Sequence, residues 1–200
     1  MQRMSLAESL QVLKDLRTDE QIVLSTMAPA REWMKLGTHP LDFIYAPSAM
    51  GEAPALGLGM AIARPDRQVI VCNGDGCMLM NLGCLVTITA ESPENFVLIV
   101  FDNSVYEVTG QQLTAAAPSA RKAGKTVDFC EIARGCGFVQ VHEFTRIEDW
   151  RAQAAGVLAA AGPTFVVLSV EPMPGAEVPK SPAPAKARAR SFAVALAGND

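Results

Sequence analysis

The sequence has little of what marks a metal cluster, a disulfide scaffold or a nucleic-acid binder. Among its 200 residues there are two histidines and five cysteines, and no two cysteines form a CxxC pair. An odd number of scattered cysteines argues against zinc and iron–sulfur sites, and favours reduced thiols in the cytoplasm. The formal net charge of -4 gives no sign of nucleic-acid binding.

The distribution of charged and apolar residues also predicts neither a leader segment nor a membrane span. Charged side chains such as Glu8, Lys14 and Arg17 interrupt the first apolar positions, so no signal peptide is expected. The stretch 74–91, in which Asp75 and Glu91 are the charged residues, contains Asn81, threonines and several glycines, which is typical of a buried α/β segment rather than a membrane helix. Half of the residues are hydrophobic and 19% are charged, as in a globular domain.

What the sequence does contain is an alternation of apolar strands and amphipathic helices. Hydrophobic spacing predicts helices over 5–16, 29–36, 53–63, 77–90, 128–135 and 146–160. Strands are predicted over 21–26, 41–45, 68–72, 95–101, 138–141 and 164–170. This alternation favours a three-layer α/β fold with a doubly wound, mostly parallel sheet. We assign 1–172 to this domain, and 173–200 to a proline-rich extended tail that ends in a short helix over 186–197.

Two short motifs follow neighbouring strands of the predicted sheet. Gly74–Gly76 (GDG) lies between a strand and a helix, and Asp102 and Asn103 end the next strand. In a parallel sheet both motifs fall at the carboxyl edge, where ligands bind. The Asp75 carboxylate and the Asn103 side-chain oxygen are hard ligands of the kind that magnesium prefers. The backbone amides of Gly76 and Cys77, at the start of the predicted helix, can donate hydrogen bonds to phosphate. GDG alone is also an ordinary turn, so the prediction depends on the joint pattern.

This joint pattern resembles the signature of the thiamine-diphosphate enzymes, in which GDG precedes an asparagine pair. Asp102 stands here in place of the first asparagine. The resemblance continues upstream through PSAMG at 47–51, a glycine-rich helix and a Pro-Asp-Arg turn, and covers 19–170. It implies the thiamin-diphosphate-binding fold, with thiamine diphosphate and magnesium as cofactors.

The resemblance also implies roles for individual residues. Met50 would support the bent cofactor (its alternative is a core or turn methionine), and the backbone carbonyl of Ser48 would accept a hydrogen bond from the aminopyrimidine. Magnesium would be bound by Asp75, Asn103 and the main-chain oxygen of Val105. The full set expected to bind the cofactor is Ser48, Met50, Gly51, Gly74, Asp75, Gly76, Cys77, Asn103, Val105 and Tyr106.

The activating glutamate of this superfamily lies in a separate pyrimidine-binding domain, for which a chain of 200 residues has no room. The resemblance therefore implies a partner subunit of the alpha type, a hetero-oligomer, and no certain catalytic residue in this chain. Among chains of this size, the sequence resembles sulfopyruvate decarboxylase beta subunits and the matching part of phosphonopyruvate decarboxylases. The implied reaction is decarboxylation of a small 2-oxoacid to an aldehyde.

The long connection 102–126 carries the candidate substrate residues Thr109, Gln111 and Gln112. Gln111 occupies a position where those decarboxylases have glycine, so the particular 2-oxoacid stays open, and a loop-packing role is an equal alternative. Glu107 on this loop is a weaker candidate for a base.

Three other functions are left open. One is an acyloin-forming carboligase, and another is a phosphate-binding module without turnover. The third is a subunit of a 2-oxoacid:ferredoxin oxidoreductase, but the absence of a CxxC pair argues against it because that class commonly binds a cluster through cysteines.

Overall fold

Helices and strands alternate along most of the chain. A computed structural model describes residues 3–120, 127–175, 177 and 179–198. The helices are α1 (Leu6–Leu16), α2 (Met27–Lys35), α3 (Ala53–Ala63), α4 (Asp75–Met80), α5 (Cys84–Glu91), α6 (Phe129–Gly135), α7 (Ile147–Ala159) and α8 (Ala185–Ala197). The strands are β1 (Ile22–Thr26), β2 (Asp42–Tyr45), β3 (Val69–Gly74), β4 (Phe96–Asp102), β5 (Val105–Tyr106), β6 (Gln112–Leu113), β7 (Gln140–Phe144) and β8 (Thr164–Ser169).

The main sheet has six strands in the order β2-β1-β3-β4-β8-β7, and each neighbouring pair is parallel. The short strands β5 and β6 form a separate antiparallel hairpin. Because parallel neighbours need a crossover, the connections pass over one face or the other of the sheet. The predicted doubly wound, mostly parallel α/β fold is therefore confirmed.

Helices cover both faces of the sheet and create two apolar cores. On one face α1, α2 and α7 bury Leu10, Trp33 and Trp150 against alternate strand residues. On the other face α3, α4, α5, α6 and α8 cover the remaining strand residues, with Leu85 and Ile88 completely buried. The central strands β3 and β4 are apolar from Val69 to Cys72 and from Phe96 to Phe101 because both of their faces are buried there.

The predicted helix over 77–90 was wrong, because the chain forms two shorter helices there. α4 ends at Met80 and α5 begins at Cys84. At the break, the side-chain amide of Asn81 donates to the carbonyl oxygen of Gly51 at 3.2 Å. The interruption thus attaches the PSAMG turn to the helix that follows GDG, a long-range contact that helical periodicity does not reveal.

Other elements also differ from the sequence-based expectation. α2 begins at Met27, ahead of Pro29, and β7 covers 140–144 rather than 138–141. Phe138 is excluded from the strand because its N–H donates to the carbonyl of Ala133 at 3.0 Å, which ends α6. The predicted loop over 102–126 contains the hairpin β5–β6, and its residues 121–126 lie outside the described residues.

The C-terminal helix packs on the edge of the sheet. The Phe192 ring meets the Phe43 ring edge-on, with 5.0 Å between centroids. The Arg188 guanidinium donates to the carbonyls of Ile44 and Ala46 where β2 ends. The predicted helix is thus present and docked, and the tail is tied to the domain that precedes it. None of the described helices combines the length and apolarity needed to cross a bilayer.

Candidate active site

The two polar motifs meet at the carboxyl edge of the sheet. β3 and β4 are neighbours, and Gly74 is the register partner of Phe101, so Asp75 and Asn103 follow the ends of adjacent strands within one residue of the same level. A narrow cavity of ≈ 70 Å³ lies there. The predicted cofactor residues that line it are Met50, Gly74, Asp75, Gly76, Cys77, Asn103, Val105 and Tyr106.

The remaining predicted cofactor residues, Ser48 and Gly51, lie outside the cavity lining. The Ser48 hydroxyl is 3.4 Å from the Met27 sulfur, and Met27 is a lining residue. Gly51 is buried and adopts a φ of 94°, in the left-handed region that favours glycine. Ser48 contacts the lining residue Met27, and Gly51 packs close to the backbone of the lining residue Cys77. The backbone role expected of Ser48 stays a prediction.

The candidate substrate residues separate into one that lines the cavity and two that do not. Thr109 is a lining residue. Its hydroxyl donates to Gln112 Oε1 at 2.8 Å, while Gln112 Nε2 donates to the Thr109 carbonyl at 2.8 Å, which closes an exposed turn. Gln111 adopts a φ of 65° and donates to the Met173 carbonyl at 3.2 Å. The structure thus gives Gln111 and Gln112 contacts within the loop and tail.

Asp75 is a buried carboxylate, with 2% of its surface exposed. The hydroxyl of Thr114 donates to its Oδ2 at 3.2 Å. Burial, and then the neighbouring Asp102 carboxylate, raise the pKa of Asp75 to about 7. No basic side chain within the described residues forms an ion pair with Asp75. A cation bound from outside would favour its ionised form.

Asn103 is held by hydrogen bonds at both ends of its amide. Its Oδ1 accepts from the Val105 N–H at 3.0 Å, and its Nδ2 donates to Glu107 Oε1 at 2.9 Å. Beside it, Asp102 Oδ1 accepts from the N–H and the hydroxyl of Ser104 at 2.9 and 3.1 Å. These local bonds fold the end of β4 into a tight turn and keep Asn103 at the cavity.

The second glycine of GDG is explained by a close packing contact. A Cβ atom at Gly76 would lie 2.6 Å from a ring carbon of Tyr106, well inside van der Waals contact. Tyr106 belongs to the hairpin that follows Asn103. Glycine at 76 therefore allows the loop after β4 to close onto the start of α4.

Sequence reasoning missed two residues of the surrounding framework and assigned a third, Glu107, a different role. Arg31 forms an ion pair with Glu107 at 3.3 Å, and Asn81 binds the PSAMG turn. Glu107 itself was only a weak candidate for a base, although its carboxylate contacts Asn103. Glu107 follows Asn103 by four residues, and this short spacing could have suggested that the two side chains meet. Arg31 and Asn81 are far in sequence from the residues that they contact, so no local pattern indicates their roles.

The groups at the cavity fit a hard divalent cation with a phosphate. They include the carboxylates of Asp75 and Glu107, the amide oxygen of Asn103 and the backbone at Val105. No cluster of three or more His, Cys, Asp or Glu side chains suited to a metal occurs in the part of the chain that is described. An ion at Asp75 and Asn103 would therefore take its other ligands from backbone, phosphate and water, as magnesium commonly does.

Comparisons with known proteins agree with this geometry. Residues 25–168 match the family described as "Thiamine pyrophosphate enzyme, C-terminal TPP binding domain". A phosphonopyruvate decarboxylase of Streptomyces viridochromogenes is 38% identical over 184 residues, which cover 90% of this chain and 44% of that protein. The sulfopyruvate decarboxylase subunit beta of Methanothermobacter thermautotrophicus is 35% identical over 165 residues, 82% of this chain and 81% of the relative.

A solved structure has a similar fold. It comes from Mycobacterium smegmatis, where it is named as a candidate thiamin diphosphate-dependent enzyme, and it superposes with a TM-score of 0.68 at 20% identity. The match covers 86% of this chain and 32% of that chain. The chain thus spans less than half of the length of the phosphonopyruvate decarboxylase and of this neighbour, but most of the beta subunit.

Proposed function

Because the chain belongs to the thiamine pyrophosphate enzymes, in their C-terminal TPP binding domain, we propose that it anchors thiamine diphosphate and magnesium for a two-chain 2-oxoacid decarboxylase. The observation that carries the proposal is the meeting of Asp75 and Asn103 in one cavity at the carboxyl edge of the sheet. The beta-subunit relative, whose length this chain largely covers, supports a divided active site.

In this proposal each residue at the cavity has a physical task. Asp75, Asn103 and the carbonyl of Val105 would hold magnesium, which would supply positive charge for the diphosphate. Amides at the start of α4, including those of Gly76 and Cys77, donate to phosphate oxygens, and Met50 lies at the apolar side of the cavity. When bound, the cofactor supplies the electron sink that stabilises the carbanion left when carbon dioxide departs.

A partner chain is proposed because this chain offers only part of a cofactor site. The cavity of ≈ 70 Å³ is smaller than a typical small-molecule pocket of about 300 Å³ or more. Leu56 and Ile62 on α3, Met80 on α4 and Val86 on α5 have 36, 56, 53 and 57% of their surfaces exposed. Apolar side chains on neighbouring helices suit contact with another chain, which would bring the activating glutamate.

The substrate is proposed to be a small 2-oxoacid with a second acidic group, by similarity to the sulfopyruvate and phosphonopyruvate decarboxylases. Thr109 is the candidate substrate residue that reaches the cavity.

We also propose a reducing, cytoplasmic location, which the five free thiols suit. Product analysis with an added acceptor aldehyde separates simple decarboxylation, which yields the aldehyde, from carboligation, which yields an acyloin.

The experiment that tests the proposal is a calorimetric titration of thiamine diphosphate with magnesium. It is made on the chain alone and on the chain co-expressed with a pyrimidine-domain subunit. Binding should require magnesium, tighten with the partner and disappear in Asp75→Ala. Asp19→Ala is the matched control, because the side chain of Asp19 is 99% exposed and lies away from the cavity.

Two results would contradict the proposal. If neither sample binds thiamine diphosphate, the motif at 74–76 is an ordinary turn and the cofactor role is lost. If binding occurs without magnesium and survives Asp75→Ala, the diphosphate is held in another way. Binding that is followed by no release of aldehyde or carbon dioxide from any 2-oxoacid would remove the decarboxylase reaction but leave the cofactor role.

A further inference from the structure

A second buried carboxylate lies beside the proposed magnesium ligand Asn103, and none of the roles above uses it. Glu107 is 8% exposed. Its Oε1 accepts a hydrogen bond from Asn103 Nδ2 at 2.9 Å. A buried ionised group costs free energy unless other groups pair with it, so the partners of Glu107 indicate what its place in the fold requires.

Two distant parts of the chain hold the Glu107 carboxylate. Arg31 on α2 donates to its Oε2 at 3.3 Å. The backbone N–H of Met173, beyond β8, donates to its Oε1 at 2.9 Å. Arg31 is held in turn by Glu32, 2.8 Å away. The carboxylate is therefore fixed independently of Asn103, and it forms a rigid acceptor beside the amide.

This acceptor decides which way the Asn103 amide points. In the observed orientation, Oδ1 faces the Val105 N–H and Nδ2 faces Glu107. A half-turn of the amide would place Nδ2 against the Val105 N–H and Oδ1 against the carboxylate, so that both contacts would become repulsive. An amide nitrogen has no lone pair available for a metal, while the oxygen has two, and Val105 uses one.

We propose that Glu107 is a positioning residue that fixes the Asn103 amide with its oxygen available to magnesium. Arg31 and the Met173 N–H keep Glu107 in place. The inference rests on the proposed function, since it presupposes an ion bound by Asn103. Both oxygens of Glu107 are engaged by groups of the chain, so Glu107 acts through Asn103 rather than on a substrate.

The test measures the affinity of the full chain for Mn²⁺ in the presence of thiamine diphosphate, from the electron paramagnetic resonance of free Mn²⁺. Each sample is in the assembly state in which the wild type binds. Glu107→Leu should weaken Mn²⁺ binding about 10- to 100-fold, as loss of an outer partner of a metal ligand commonly does. Glu107→Gln should bind closer to the wild type than to Glu107→Leu, because its amide oxygen can still accept from Asn103.

Glu32→Leu is the matched control. Glu32 is 4% exposed and pairs with the same Arg31, and none of its hydrogen bonds within the described residues reaches Asn103. Its Mn²⁺ affinity should stay near that of the wild type, even where urea unfolding shows a similar loss of stability. An equal loss of affinity in Glu32→Leu would overturn the inference, because Glu107 keeps its bonds to the Met173 N–H and to Asn103 in that variant, and the loss would then follow stability rather than the orientation of the Asn103 amide.

Folded Glu107→Leu that binds Mn²⁺ like the wild type would also overturn it. If Glu107→Leu does not fold, the double variant Asn103→Asp/Glu107→Gln decides, since an aspartate presents oxygen at both ends. It should bind Mn²⁺ at least as tightly as Glu107→Gln alone, and weaker binding would contradict the inference. A wild type that binds no Mn²⁺ overturns the proposed function and this inference with it, whereas unaffected variants of a binding wild type overturn this inference alone.

Discussion

Glu107 and Asp75 are carboxylates at the same edge of the sheet, with exposures of 8 and 2%, yet their surroundings are opposite. Glu107 is paired with the Arg31 guanidinium and accepts the Met173 N–H. Asp75 has no ion-pair partner in the described residues and faces the Asp102 carboxylate, which raises its pKa. A buried charge that the chain itself compensates supports the fold. One that lies next to another carboxylate is compensated only by a proton or by a cation from outside.

The comparison therefore separates a framework group from a binding group by electrostatics alone. It teaches that removing charge should have opposite effects on stability at the two carboxylates. Three substitutions test this difference and a fourth tests the loop beside Glu107, and they are ordered here by the size of the expected effect.

Arg31→Met should give the largest change, because it leaves Glu107 buried without its counterion. Breaking a buried ion pair from one side costs about 3–5 kcal/mol, and the upper part of this range applies because Arg31 pairs with both Glu32 and Glu107. The free energy of unfolding in urea measures the loss. The double variant Arg31→Met/Glu107→Gln should lose less than the sum of the single changes. Additive losses would show that the pair is not coupled and would remove this side of the comparison.

Asp75→Asn should stabilise the chain at neutral and alkaline pH, without added magnesium or cofactor. The pKa of Asp75 in the folded chain, about 7, lies above its ordinary value of 3.8. The folded state thus binds the proton more tightly, and the wild type loses stability as the pH rises from 3.8 to about 7. Asparagine carries no such penalty, so the gain should be on the order of 4 kcal/mol above this window and small below it.

Urea unfolding at several pH values measures this gain, and Asp19→Asn on the exposed surface is the control. The same Asp75→Asn variant should lose magnesium-dependent cofactor binding, since a neutral amide replaces the charged ligand. A variant that is destabilised at every pH would show that Asp75 is compensated within the fold, like Glu107.

Asp102→Asn should have a smaller effect of the same sign. It removes the charge that acts on Asp75, and its amide oxygen can still accept from the N–H and hydroxyl of Ser104. We expect about 1 kcal/mol of added stability above neutral pH, and a lower pKa of Asp75, measured by NMR titration of its carboxyl carbon. In the Asp75→Asn background the substitution should add almost nothing. An equal gain in both backgrounds would mean that the two carboxylates do not interact.

Gln111→Gly should have the smallest effect. Glycine relieves the left-handed backbone at this position, about 1 kcal/mol, but it loses the hydrogen bond to the Met173 carbonyl, also about 1 kcal/mol. The net change in unfolding free energy should stay within about 0.5 kcal/mol. Gln111→Ala loses the bond and keeps the strain, so it should be the less stable of the two. If alanine equals glycine, the φ of Gln111 carries no cost.

Much of the candidate site could be predicted, because a residue at the end of a strand has its place set by the sheet. The apolar runs of β3 and β4 identify two central strands. Asp75 directly follows β3, and Asn103 directly follows β4. What could not be predicted depends on contacts between distant segments. Arg31 and Met173 lie 76 and 66 residues away from the Glu107 that they hold, and no local pattern connects them.

By itself, then, the sequence determined the alternation of strands and helices, the parallel sheet and the edge at which GDG and Asn103 meet. Those features depend on hydrophobic periodicity and chain connectivity, which can be read locally. Only the tertiary structure decided that the helix after GDG breaks at Asn81 to hold the PSAMG turn. It also decided that one buried carboxylate is compensated and the other is not. Burial and charge pairing are properties of atoms that folding brings together, so the difference between Glu107 and Asp75 exists only in the folded chain.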